Sequence, residues 1–276
     1  MKDFLTFIFI LLFHNVSFNQ TLNGQIVELD DDIPIGYASL GVLHQNKGTV
    51  ADSNGYFHFD LSNFSELDTL VISAIGFEKM EFLISHCKTI LLNQEILRIE
   101  LTPTTKELQE VIVTAGKYKN LITGNNIKSS MIIAGFQNRS LGAEMGTILK
   151  YNKEKKGLLT NLHFNVVANQ SDTIKFRVNL YEIENGIPNE SILNEPIYFY
   201  GTPTNGSITI NVSERRIYLK KDIFVTVELI ENVGMDGLFF KSAFLRSASY
   251  FRDAPEGNWV KANVDLGIWA EIQYKK

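Results

Sequence analysis

Apolar residues in this chain recur at every second position, and the recurrence runs through both halves. Phe57, Phe59 and Leu61 alternate with Tyr56, His58 and Asp60, and the same period carries Ala38, Leu40 and Val42, then Leu97, Ile99 and Leu101. Further on it returns in Leu162, Phe164 and Val166, in Ile174, Phe176, Val178 and Leu180, in Ile223, Val225, Val227 and Leu229, and in Ile268, Ala270 and Ile272. An extended segment with this period turns one side to a core and the other to solvent. Before residue 104 no segment sustains a helical period, so the chain is expected to be all-β.

The runs are separated by turn formers. Asp52, Ser53, Asn54 and Gly55 make a polar corner between two such runs and predict a hairpin: Asp52 and Asn54 can bond nearby backbone N–H groups, and Gly55 accepts a positive φ. In the second half the spacers are residues 169–172, 184–189 and 202–206, all rich in Asn, Gly, Pro or Ser. At 276 residues with 45% hydrophobic content, the chain has material for two ordinary domains. The expected division is an export signal over residues 1–20, an antiparallel β-sandwich over 22–103, a connection over 104–124 and a second antiparallel sandwich, of jelly-roll type, over 125–276. Residues 89–92 are read as one of the strands of the first sandwich.

Lys2 precedes a mostly apolar run over residues 4–13 and a more polar stretch to Gln20, the layout of a secretory signal. That run is too short for a transmembrane helix, which takes about 20 residues. The expected location is outside the cytoplasm, in the periplasm or at the outer membrane, peripheral to the membrane rather than spanning it. A formal net charge of -5 argues against a nucleic-acid partner, which needs a clustered basic surface. Cys87 is the single cysteine, so no internal disulfide forms, and it is read as a small buried hydrophobe.

The order of Gly24, Gln25, Ile26 and Val27, of residues 34–40, of the corner and the run after it, of Ile75, Gly76 and Phe77, and of Ile99, Glu100 and Leu101 resembles the carboxypeptidase regulatory-like domain. The resemblance implies a transthyretin-like, or prealbumin-like, sandwich serving as an accessory module on exported proteins. Such modules commonly open the TonB-dependent receptors of Bacteroidetes-type bacteria. The next segment of the chain is also similar to those receptors: Glu110, Val111, Ile112, Val113, Thr114 and Ala115 resemble the extended TonB box, which would pair with the edge of a periplasmic protein. The same residues also read as a final strand plus linker, and Thr104 with Glu107 fits a capping box, so a short helix competes. The remainder of the chain is too short for a plug and a many-stranded barrel.

Signatures of chemistry are sparse. None of the five histidines begins a His-x-x-Glu pair, and neither a Gly-x-Ser-x-Gly elbow nor a phosphate loop is present. His58 and His163 fall on the polar phase of their strands and are expected to face solvent. No enzyme activity, cofactor or metal is therefore expected. The leading expectation is a docking or scaffolding protein with a partner in the cell envelope. The alternative is recognition of a glycan by the second sandwich, for which residues 196–200, Trp259 and Trp269 offer aromatic stacking faces, with Trp259, in a loop, the leading candidate. A hydrolase with its site between the domains is a third reading.

Overall fold

The two-residue period is realised as strands in both halves of the protein. The structure, a computed structural model, describes residues 20–91, 96–104, 116–137, 141–167, 173–202, 206–233, 237–244 and 249–276. The export-signal segment 1–19 and the partner-binding candidates Glu110 to Ala115 lie outside the described residues.

The first domain contains β1 (Thr21–Glu28), β2 (Ser39–Val42), β3 (Gly48–Val50), β4 (Tyr56–Asp60), β5 (Thr69–Ser73), β6 (Met80–Leu83), α1 (Ile84–Leu91) and β7 (Leu97–Leu101). Among the described residues these strands form two sheets, ordered β4-β1-β7 and β3-β2-β5-β6. Leu22, Ile26, Phe57, Phe59, Ile99 and Leu101 of the first sheet pack against Leu40, Val42, Leu70 and Ile72 of the second. The Asp52 carboxylate accepts the N–H of Asn54 at 2.8 Å and of Tyr56 at 2.9 Å, as the sequence suggests. The corner nevertheless does not close a hairpin. β3 pairs with β2 and β4 with β1, so the turn carries the chain from one sheet to the other.

Two more expectations change here. Residues 89–91 are the end of helix α1, not a strand: Ile84 and Cys87, three residues apart, bury one side, and Leu91 packs on the core. The Thr89 hydroxyl donates to the Ser85 carbonyl one turn earlier. The helix then returns the chain to the first sheet, where β7 runs parallel to β1 and not antiparallel.

The second domain contains β8 (Tyr118–Gly124), β9 (Ile132–Phe136), β10 (Glu144–Leu149), β11 (Gly157–Val166), β12 (Ile174–Glu184), β13 (Ile187–Ser191), β14 (Ile197–Gly201), β15 (Gly206–Asn211), β16 (Tyr218–Leu219), β17 (Ile223–Leu229), β18 (Leu238–Ala243), β19 (Ser249–Arg252), β20 (Val260–Lys261), β21 (Asp265–Leu266) and β22 (Ile268–Lys275). Among the described residues they form a seven-stranded and an eight-stranded sheet. The long strands alternate between them: β10, β12, β17 and β19 lie in the first, β11, β15, β18 and β22 in the second. This back-and-forth connection is of jelly-roll type. Phe164, Val166, Phe176, Val178, Val225, Val227, Phe240, Ile268 and Ala270 fill the space between the sheets.

The connection is shorter than the sequence suggests. Residues 118–124 are strand β8, paired along its whole length with β22 from Tyr118↔Lys275 to Gly124↔Trp269. Leu121 packs on the second core and Thr123 is buried, which is why this stretch belongs to the second sandwich. Among the described residues no helix is long and apolar enough to cross a membrane.

Candidate functional site: the domain interface and the open sheet face

The polar phase of the seven-stranded sheet is not a solvated face. Arg177 of β12 pairs in register with Glu228 of β17, and both are buried, at 4% and 2% exposure. Arg177 donates from Nε to Glu228 Oε2 at 2.9 Å and from Nη2 to Oε1 at 2.7 Å. Its remaining donors reach across to the first domain, Nη1 to the Tyr37 carbonyl and Nη2 to the Ser39 hydroxyl, each at 2.6 Å. The Asn179 amide donates to Glu228 Oε2 at 2.6 Å and to Glu144 Oε1 at 2.8 Å, linking this pair to a second one. There Arg252 Nε donates to Glu144 Oε2 at 2.9 Å, and the Thr226 hydroxyl donates to Oε1. Tyr181 donates its hydroxyl to Glu144 and accepts from Arg252.

Two carboxylates and two guanidiniums thus cancel in a water-poor layer with their hydrogen-bonding capacity used. Burial opposes the charge on both arginines, but Glu228 beside Arg177 and Glu144 beside Arg252 outweigh it and hold both firmly protonated. At the rim, Lys175 meets the Tyr37 hydroxyl, and that hydroxyl donates to Glu231 at 3.2 Å. This is the interdomain position where a hydrolytic site was one expectation. Its carboxylates are engaged by arginine and amide donors, and no histidine takes part in the bonds just described.

The loop after β19 seals the same interface. A Cβ on Gly41 would lie 2.0 Å from the Pro255 carbonyl oxygen, so the loop rests directly on the backbone of β2. Glu256 accepts from Lys79 at 3.0 Å, and Asn258 donates to the His44 carbonyl at 3.1 Å. Trp259, the expected stacking face, is half-buried beside this loop. The Arg252 guanidinium lies 4.7 Å from its ring centre, and Phe224 and Tyr181 meet it edge-on at 5.5 and 6.0 Å. The ring serves packing at the edge of the network.

On the opposite side of the second sandwich, the outer face of the eight-stranded sheet carries another polar group. His163 of β11 is 7% exposed, contrary to its expected solvent-facing position. Its ring stacks on Trp269 of β22 with centres 3.6 Å apart and planes 7° from parallel. His163 Nδ1 lies 2.9 Å from the Thr209 hydroxyl, and Nε2 lies 3.6 Å from Glu271 Oε1, beyond hydrogen-bond reach. The Asn161 amide donates to the other Glu271 oxygen at 2.8 Å. Burial lowers the His163 pKa, and nearby Glu271 only partly opposes this.

Two other features bear on chemistry. A mostly apolar cavity of about 300 Å³ opens between the sheets, lined by Phe136, Met145, Phe251, Val264 and Leu266 among others. Cys87 is 1% exposed, and burial pushes its thiol up to about 11, which removes the reactive thiolate at neutral pH. Among the described residues no group of three His, Cys, Asp or Glu side chains converges as a cation site.

Comparison with known proteins bears on the first domain. Residues 22–113 match the CarboxypepD_reg-like domain. The first sandwich is a CarboxypepD_reg-like domain. No curated protein matches the chain. Among solved structures, the cysteine protease and lectin-like domains of Cwp84, a surface layer associated protein of Clostridium difficile, share 11% identity at a TM-score of 0.39, over 94% of this chain and 59% of that one. Clostridial cysteine protease Cwp84 after propeptide cleavage shares 12% at a TM-score of 0.40, over 94% of this chain and 71% of that one.

Most motif residues of the CarboxypepD_reg-like domain shape its turns and core, while two of them, Tyr37 and Ser39, accept hydrogen bonds from Arg177 across the interface. Sequence reasoning missed the network because Arg177, Asn179, Thr226 and Glu228 occupy the phase that ordinarily meets water. The available signal was the pairing of opposite charges across β12 and β17, visible once the register is known. The stacking of His163 on Trp269 is hidden from the sequence for the same reason, because it joins residues of adjacent strands.

Proposed function

We propose that this is an exported, non-enzymatic docking or scaffolding protein of the periplasm or outer membrane. The observation that carries this reading is the buried ionic layer joining the CarboxypepD_reg-like domain to the jelly-roll sandwich through Arg177, Glu228, Tyr37 and Ser39. An accessory module held in this way acts as a brace for its neighbour, fixing how the second sandwich is presented. Partner binding is assigned to Glu110 to Ala115, whose β-branched residues Val111, Ile112, Val113 and Thr114 suit strand addition to the edge of an envelope protein.

Affinity capture from an envelope fraction, with cross-linking to identify the contact, tests this. The expected result is one envelope protein cross-linked through residues 110–115 and lost on Ile112→Pro, which breaks strand pairing. A chain that remains in the cytoplasmic fraction, or a partner retained by Ile112→Pro, would count against it. Recognition of a glycan by the second sandwich is a second reading, favoured by the His163, Trp269 and Glu271 group on the open sheet face.

A further inference from the structure

We infer that the outer face of the eight-stranded sheet around Trp269 and Glu271 binds a neutral saccharide, an assignment that rests on the glycan reading and gives it a site. The starting point is an imbalance of donors. His163 Nε2 and Trp269 Nε1 are buried with no hydrogen-bond partner among the described residues. Buried polar groups are nearly always paired, and leaving one unpaired is costly. Here two lie on stacked rings of adjacent strands.

The chemistry of the missing partner is set by the neighbours. The Glu271 carboxylate next to Nε2 favours the tautomer with a proton on Nε2, leaving Nδ1 to accept from the Thr209 hydroxyl. Trp269 Nε1 can only donate. The group therefore holds two N–H donors that lack an oxygen, both closed to solvent within the stacked rings. Glu271 supplies the reverse: Asn161 holds Oε2, while Oε1 has His163 Nε2 at 3.6 Å, leaving it to accept from an incoming hydroxyl. A sugar hydroxyl donating to this half-exposed carboxylate oxygen is the polar contact the open face offers, and an oxygen reaches a ring N–H once the edge of the stack opens.

Shape points the same way. One face of Trp269 is covered by His163, its neighbour across β11. Across β8 its neighbour is Gly124, which is exposed and has no side chain to cover the ring. Beyond it Ile122, paired with Glu271, is 64% exposed. An aromatic flank over a bare glycine, beside a half-exposed carboxylate, suits a ring that is apolar on its face and hydroxylated at its edge. The negative charge of Glu271 disfavours an acidic sugar. This face lies on the opposite side of the sandwich from the sheet that carries Arg177 and Glu228, which among the described residues is the sheet that Tyr37 and Ser39 of the CarboxypepD_reg-like domain bind.

The test uses the full chain carrying Trp259→Phe, so that Trp269 is the only indole. It is titrated with neutral cello-, xylo-, manno- and chito-oligosaccharides and followed by indole fluorescence and the indole N–H resonance. The expected result is a saturable change with at least one series. Calorimetry on folded Glu271→Ala and Trp269→Phe chains should then show binding weakened by about tenfold or more. Unchanged affinity in both variants overturns this site while leaving the glycan reading standing. No binding of any series by the folded wild-type chain overturns both. Should the variants fold poorly, the fluorescence of the Trp259→Phe chain decides, and binding that leaves its indole signal unmoved overturns the site.

Discussion

At the residue scale, the behaviour of single side chains is set by whether their partners are present. Removing Arg177 leaves the Glu228 carboxylate, 2% exposed, buried without its guanidinium. Breaking such a pair costs about 3–5 kcal/mol, so Arg177→Ala should lower stability by that amount in chemical denaturation. Replacing both partners with Met and Leu should cost less than the single change, because no uncompensated charge remains. His163 carries the opposite dependence on its surroundings. Its folded pKa is lowered from 6.5 by burial, so its contribution is fully present above pH 6.5 and is lost as pH falls through the lower folded value. Stability measured between pH 7 and pH 5 should therefore decline with acidity, and His163→Gln should flatten that part of the curve.

At the scale of elements, the sequence named the buried residues better than it named their partners. Phe57 and Phe59 of β4 and Leu40 and Val42 of β2 face the first core as their spacing indicates. Alternation says which side of a strand is apolar, however, and not which sheet the strand joins, so the corner before β4 has the sequence of a hairpin and links two sheets instead. Helix α1 is not legible in the sequence because two turns give few repeats of the helical period, and only Ile84 and Cys87 are fully buried, with Leu91 packed at the core's edge. The local demand at the corner itself is unaffected by this. Gly55 has φ 76°, and an added Cβ would lie 2.4 Å from the Ile26 carbonyl oxygen. Gly55→Ala should destabilise the protein by at least about 1–2 kcal/mol, measured by urea denaturation, since left-handed backbone alone costs that much for a residue with a side chain.

At the scale of the whole molecule, the two sandwiches share a polar interface that neither can satisfy alone. Arg177, Tyr37, Ser39 and Glu228 tie β12 and β17 to the segment around β2, and the Pro255 loop rests on Gly41. Calorimetry of the intact chain should show one cooperative transition, whereas independent domains would give two. Gly41→Ala, which adds a methyl against the Pro255 carbonyl, should cost about 1–3 kcal/mol and begin to split that transition.

The sequence by itself determined that the chain is all-β, that two cores form, and which residues of each strand point inward, because a strand's side-chain alternation is a local property of its backbone. It also carried the order of turns and apolar runs that marks the CarboxypepD_reg-like domain. The tertiary structure alone decided which polar faces are removed from water. Arg177 and Glu228 on one sheet, and His163 on the other, sit in the phase that ordinarily faces solvent. Whether such a face is hydrated depends on distant segments brought over it, and desolvation belongs to that assembled layer and to no single stretch of chain.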